Sequence, residues 1–283
     1  EQNIQAVYVN AGTNLYYFTG NPWFASERLV GALIPQEGNV EYIAPAFEEG
    51  SLNQYRLVKG NINCWEEHES PYTLFGEVLK GMGILSGVIG IDEAAPFFVA
   101  NGVQRANPQF DYQDAKTVTA GCRMIKTGAE LALLQRAKQM TLEVHKSVAK
   151  ILKPGITTTE VQAFIHQAHQ AVGAVGGSSF SIVLFGEASA YPHGVKDPQV
   201  LNNNDVVLID TGCQLHGYHS DITRTYVYGK PSKRQCEVWE IEKAAQASAF
   251  EVAQVGVPCA AVDRAARKTL EQHGFGPGYK IPG

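Results

Sequence analysis

The sequence predicts an α/β domain followed by an α+β domain, and three patterns predict it. Over about the first 120 residues, short apolar runs bounded by turn residues alternate with helical patterns. After Arg123, long stretches repeat their apolar residues at steps of three and four. Within that second part, Gly155-Ile156, Val161 and Gly173 recur as Gly256-Val257, Val262 and Gly274 at a constant offset of 101. A duplicated unit leaves such a repeat, although two amphipathic helices aligned by chance give the same spacing.

The first domain reads as follows. Ile4–Val9 is an apolar run flanked by polar residues, and Leu15–Phe18 follows the turn Ala11-Gly12-Thr13-Asn14. Leu29–Ile34 and Val40–Ala44 are strand-like runs. The turn-rich spacer Pro35-Gln36-Glu37-Gly38-Asn39 between them predicts a hairpin. Pro71–Lys80 reads as a helix and Val88–Asp92 as a buried strand leading into a helix near Pro96–Asn101. The boundary falls within Phe110–Arg123, which gives domains of residues 1–120 and 121–283.

The second domain opens on Thr127-Gly128-Ala129-Glu130, a capping-box pattern. Leu131, Leu134, Ala137, Thr141, Val144, Val148 and Ile151 then form one face of a long amphipathic helix, stopped by Lys153-Pro154-Gly155. Thr157-Thr158-Thr159-Glu160 starts a second helix that ends near Gly173. Phe180–Phe185 and Val206–Asp210 read as strands, with a loop at Gly186–Lys196. Leu215–Tyr228 reads as a turn and a further strand, and Ser232–Gln254 and Cys259–His273 as helices.

Composition narrows the function. Of 283 residues, 23 are Lys or Arg and 28 are Asp or Glu, a net charge of −5, which lacks the basic footprint of a nucleic-acid binder. The five cysteines form no CxxC pair, and an odd number cannot all pair, so free thiols in a reducing cytoplasm are expected. No apolar run approaches the ~18–20 residues of a membrane span. The most apolar stretch, Gly81–Ile91, is short and cut by four glycines. Glu1-Gln2-Asn3 lacks a signal-peptide pattern, and the missing initiator Met implies a processed or trimmed start.

The segment that carries chemistry is Asp205–Tyr228. Asp210 closes the apolar run Val206–Ile209, and Asp221 follows eleven residues later, beyond a turn marked by Gly212 and Gly217. Two strands joined by that turn would place both carboxylates on one sheet face. Converging carboxylates disfavour joint ionisation, and a divalent cation removes the conflict. The spacing also admits a plainer arrangement, with Asp210 capping a turn and Asp221 paired to Arg224.

Asp210-Thr211-Gly212 followed by Gly217-Tyr218-His219-Ser220-Asp221-Ile222-Thr223-Arg224-Thr225 resembles the first half of the metal-site signature of the pita-bread metallopeptidases. That family includes Xaa-Pro aminopeptidases, Xaa-Pro dipeptidases and methionine aminopeptidases, with creatinase as a metal-free relative. Arg123-Met124-Ile125-Lys126-Thr127 resembles the family's entry to its long helix, and Tyr191-Pro192-His193-Gly194 resembles its substrate-site loop. The resemblance covers essentially the whole chain. It implies a creatinase-type N-terminal α/β domain at 1–120 and a partial pita-bread domain at 121–283.

By position, the resemblance makes Asp221 a bridging ligand and Asp210 a ligand to one of two divalent ions, manganese or cobalt, with zinc an alternative. His193 would line the substrate pocket as the catalytic residue, and Thr223 would support the bridging aspartate. A loop histidine stiffened by Pro192 is the plainer account of His193. His216 and His219 match no family ligand and are expected in an exposed turn. Cys213 is expected as a small buried side chain, not a nucleophile. His145, His166 and His169 fall on helices and are expected at the surface or an interface.

The resemblance also shows a departure. The family site adds one His and two Glu after its two aspartates, and Phe275–Gly283 contains no His, Asp, Glu or Cys. The expectation is a C-terminally truncated chain, inactive by itself, which leaves open that these residues alone hold no metal. For an intact relative, the implied activity is metal-dependent hydrolysis of the bond before proline, in peptides with proline at the second position. A cytoplasmic homodimer without nucleic-acid or membrane partners is implied. The alternatives are a creatinase-like metal-independent hydrolase and a non-catalytic peptide-binding protein on the same fold.

Overall fold

The computed structural model describes residues 3–276. It divides into two compact units, Glu1–Thr127 and Gly128–Gly283.

The first unit is built on a six-stranded sheet. Its elements are β1 (Ile4–Asn10), α1 (Thr13–Thr19), β2 (Gly31–Pro35), β3 (Val40–Pro45), α2 (Glu49–Tyr55), β4 (Gly60–Trp65), α3 (Pro71–Gly81), β5 (Gly87–Ile91), α4 (Phe97–Ala106), β6 (Phe110–Asp114) and α5 (Lys116–Met124). The strand order is β4-β3-β2-β1-β5-β6. The expected hairpin is β2–β3, and the pairs β3–β4, β1–β5 and β5–β6 are parallel. Helices cover both faces, so the strands are apolar on both sides. Ala6 and Tyr8 of β1 face Phe75, Leu79, Val99 and Val103 from α3 and α4. Val9 on the opposite face packs with Leu15 of α1 and Leu52 of α2. Leu15–Phe18 is helical, closed by Gly20 in the left-handed region.

The second unit begins with α6 (Gly128–Ile151) and α7 (Thr158–Ala171), followed by β7 (Ser178–Phe185), β8 (Val206–Leu215), β9 (Tyr218–His219) and β10 (Ile222–Val227). It continues with α8 (Lys233–Val252) and α9 (Cys259–Gln272). Thr157 caps α7, and its reciprocal bonds with Glu160 form a capping box. The strands run antiparallel in the order β10-β8-β7, with β9 paired to β8. Val207 and Ile209 of β8 pack on Val144 and Val148 of α6 and Val161 and Ile165 of α7. The alternate β8 positions, 208, 210 and 212, therefore lie on the sheet face away from these helices.

The strand expected to end at Asp210 runs on to Leu215, which places Asp210 in mid-strand. Gly212 lies inside the strand and marks no turn. The turn is His216-Gly217, both at positive φ (48° and 84°), the pattern of a two-residue type I′ hairpin. Among the described residues no helix is long and apolar enough to cross a membrane.

Candidate functional site

The β8–β10 register decides how the two aspartates meet. Thr223 lies directly opposite Asp210, and Ile222 lies opposite Thr211. Asp221 is two residues before Thr223, so it is the diagonal neighbour of Asp210 on the same face. The two carboxyls lie within hydrogen-bonding reach of each other. Burial, then the charge of Asp210 and the hydrogen bond with it, hold the Asp221 carboxyl above the usual carboxylate range.

Asp210 Oδ1 is buried and has no hydrogen-bond partner. An orphaned anionic oxygen inside a protein is costly, and two carboxyls crowded together add repulsion. A hard divalent cation satisfies both conditions, so this oxygen-donor pair fits one. The plainer arrangement is not formed. Among the described residues Asp221 makes no ion pair with Arg224, which donates through Nη1 to the carbonyl of Thr223 at 2.8 Å. Thr223 itself is exposed.

His193 sits in the loop after a short 3-10 helix at Gly186–Ala190. It is exposed and lines a cavity of about 160 Å³ with Thr158, Gln162, Leu184 and Gln199. Among the described residues, no group of three or more His, Cys, Asp or Glu is placed to hold a metal ion. The structure therefore does not gather His193 with Asp210 and Asp221 into one cluster. The segment 277–283, where ligands were sought in the sequence, lies outside the described residues. His216 and His219 are exposed at the hairpin, and His219 Nε2 lies 3.1 Å from Gln214 Nε2. Cys213 is fully buried.

Two histidines are not where the sequence put them. His166 is exposed, but His169 is fully buried and His145 is 8% exposed. Helical periodicity alone hid this, because their ring nitrogens are satisfied internally. His145 Nε2 donates to the carbonyl of Ile222 at 2.9 Å. His169 Nδ1 donates to the carbonyl of Ile165 at 3.0 Å, which leaves Nε2 to accept from Thr141 Oγ1, also at 3.0 Å. Thr141 Oγ1 is in turn 2.7 Å from Ser220 Oγ, which accepts the Cys213 N–H at 2.9 Å. Burial holds both imidazoles below the usual histidine range; the charge of Arg224 adds to this at His145, and the nearby histidines His145 and His166 add to it at His169.

Comparison with known proteins identifies the family. Residues 132–281 match the description "Metallopeptidase family M24", and residues 1–125 match "Creatinase/Prolidase N-terminal domain". The chain belongs to metallopeptidase family M24. A relative in Bacillus subtilis named "Putative dipeptidase YkvY" is 31% identical over 274 residues, which are 96% of this chain and 75% of YkvY. The recombinant prolidase from Thermococcus sibiricus superposes with a TM-score of 0.86 at 29% identity, covering 97% of this chain and 74% of that one. A dipeptidase from Pyrococcus horikoshii gives 0.83 at 28%, covering 97% and 75%. The M24 fold is thus the observed fold, a creatinase-type unit followed by a pita-bread unit. Membership of a metallopeptidase family implies divalent cations.

Proposed function

We propose that this M24 chain belongs to an enzyme that cleaves the peptide bond before proline in short peptides, with Asp210 and Asp221 as cation ligands. The observation that carries the reading is the diagonal pairing of the two carboxyls on one sheet face, with one oxygen buried and unpaired. Similarity to the prolidase of Thermococcus sibiricus supports proline at the second position of the substrate.

Divalent cations, when bound, supply charge that polarises a scissile carbonyl and acidifies water. Manganese and cobalt suit a site with carboxylate donors, and zinc is the alternative. The chain's own residues do the rest. Asp221, placed diagonally across the ladder from Asp210 on the same face, would hold a divalent cation together with it. Thr223, directly opposite Asp210 in the ladder, would orient a carboxylate of the pair. His193, in its exposed loop, would approach a bound peptide from the substrate side and donate a hydrogen bond to the reacting carbonyl. Catalytic metal sites use three or more protein ligands, so these two carboxyls with no further ligand would not sustain turnover by themselves.

The test is hydrolysis of an Xaa-Pro dipeptide with Mn²⁺, compared between the wild type and Asp221→Ala. Metal-dependent turnover that vanishes in the variant supports the reading. Peptide binding by the wild type with no turnover in Mn²⁺, Co²⁺ or Zn²⁺ refutes catalysis by this chain.

A further inference from the structure

We propose that Thr141 and His145 are positioning residues that clamp Asp221 from both sides. They lie four residues apart on α6, so they project from one face, one turn apart. Thr141 Oγ1 holds Ser220 Oγ at 2.7 Å, and His145 Nε2 holds the Ile222 carbonyl at 2.9 Å. Ser220 and Ile222 are the two neighbours of Asp221. The helix therefore fixes the chain immediately before and immediately after the carboxylate.

Asp221 needs such support. It is exposed, and it lies diagonally across the ladder from a second carboxylate, Asp210, on the same sheet face. Two like charges push apart, so their close approach must be enforced by the backbone. Ser220 is 1% exposed and tied twice to Cys213, through its own N–H to the Cys213 carbonyl and through Oγ from the Cys213 N–H, both at 2.9 Å. Thr141 is anchored in turn. Its hydroxyl donates to His169 Nε2, and His169 donates to Ile165, so the chain of donors has one consistent direction. Each buried polar atom in this row has a partner. Removing the Thr141 hydroxyl leaves His169 Nε2 without its donor and removes the tie from α6 to Ser220.

The inference rests on the reading of Asp210 and Asp221 as cation ligands, and the experiment separates the two. Mn²⁺ affinity of the full chain is measured by electron paramagnetic resonance for wild type, Thr141→Val, His145→Leu, Thr141→Ser and His145→Gln. Val148→Ala, on the same helix and fully buried, serves as an equally destabilised control. Loss of a positioning partner is expected to weaken Mn²⁺ binding by about 10-fold in Thr141→Val and His145→Leu. Thr141→Ser and His145→Gln retain a donor and should bind like wild type, as should Val148→Ala. Equal affinity in all variants, or equal loss in Val148→Ala, overturns the clamp. If the wild type binds no Mn²⁺, the ligand reading fails, and the crystal structures of wild type and Thr141→Val decide the clamp alone. A shift of the Asp221 carboxyl relative to Asp210 supports it, and an unmoved carboxyl overturns it.

Discussion

Gly212 lies so close to the Ser220 carbonyl that a Cβ at Gly212 would stand 1.8 Å from that oxygen. The same Cβ would be 2.9 Å from the ring of Phe180. The obstacle is backbone, so it cannot rotate away. Gly212→Ala must spread β8 from the segment that carries Ser220 and Asp221. Overpacking of this kind costs about 1–3 kcal/mol. Urea denaturation should show that loss, and Mn²⁺ affinity should fall with it. A variant as stable as wild type would mean that the strands are not packed this closely.

The charge pair predicts opposite effects on stability and on cation binding. Asp210→Asn removes one of two crowded like charges, so metal-free stability should hold or rise. Added Mn²⁺ stabilises a protein that binds it by about 2.7 kcal/mol at a hundredfold excess over Kd. Thermal unfolding with and without Mn²⁺ should show that increment in wild type and none in Asp210→Asn or Asp221→Asn. A Mn²⁺-induced rise in Tm that persists in both variants would place the cation elsewhere.

Much of this site was legible in the sequence, for identifiable reasons. The DxG…SDxTRT pattern lies in one short segment, so spacing and strand periodicity together place Asp210 and Asp221 on one face. The extension of β8 to Leu215 was not legible. Glycine normally signals a turn, and only the approach of Ser220 explains why strand continues through Gly212. The burial of His145 and His169 was hidden too, because it depends on partners 77 and 28 residues away. In the first unit, β4 and β6 are short and polar at several positions, and they become strands by pairing with β3 and β5.

The two buried imidazoles set an acid limit on the second unit. Both titrate below the usual histidine value, which is about 6.5 in an unfolded chain. Above that pH the histidines are neutral in both states, and their contribution to stability is fully present. As the pH falls below about 6.5, the unfolded chain takes up protons that the folded chain resists, so stability declines until the folded state also protonates. Arg224 and Asp210 act on His145 with opposite sign, and His145 and His166 disfavour protonation of His169. Urea midpoints from pH 7.5 to 5 should fall in wild type and fall less in His169→Gln. Parallel curves would assign the acid sensitivity to other groups.

In the first unit, Asn14 links the adjacent Asp92 and Glu93 to Arg123, thirty residues further on. Its Nδ2 donates to Asp92 Oδ1 at 2.8 Å and to Glu93 Oε1 at 3.2 Å, while its Oδ1 accepts from Arg123 Nη1 at 2.7 Å. Asp92 also accepts the N–H groups of Asn10 and Ala94. Burial still holds its carboxyl above the usual range, against the pull of those three donors. Asn14 is 2% exposed, so no water can replace it. Asn14→Asp keeps the shape but removes the donor and sets a third carboxylate beside two. Arg123 offsets part of that charge. The remainder should cost about 1–3 kcal/mol at pH 7, the penalty of an unsatisfied buried polar group. The loss should shrink toward pH 4, where protonated carboxyls no longer repel and can donate. Urea midpoints of wild type and variant at the two pH values measure this. A deficit that is equal at both would show that packing, not charge, makes Asn14 necessary there.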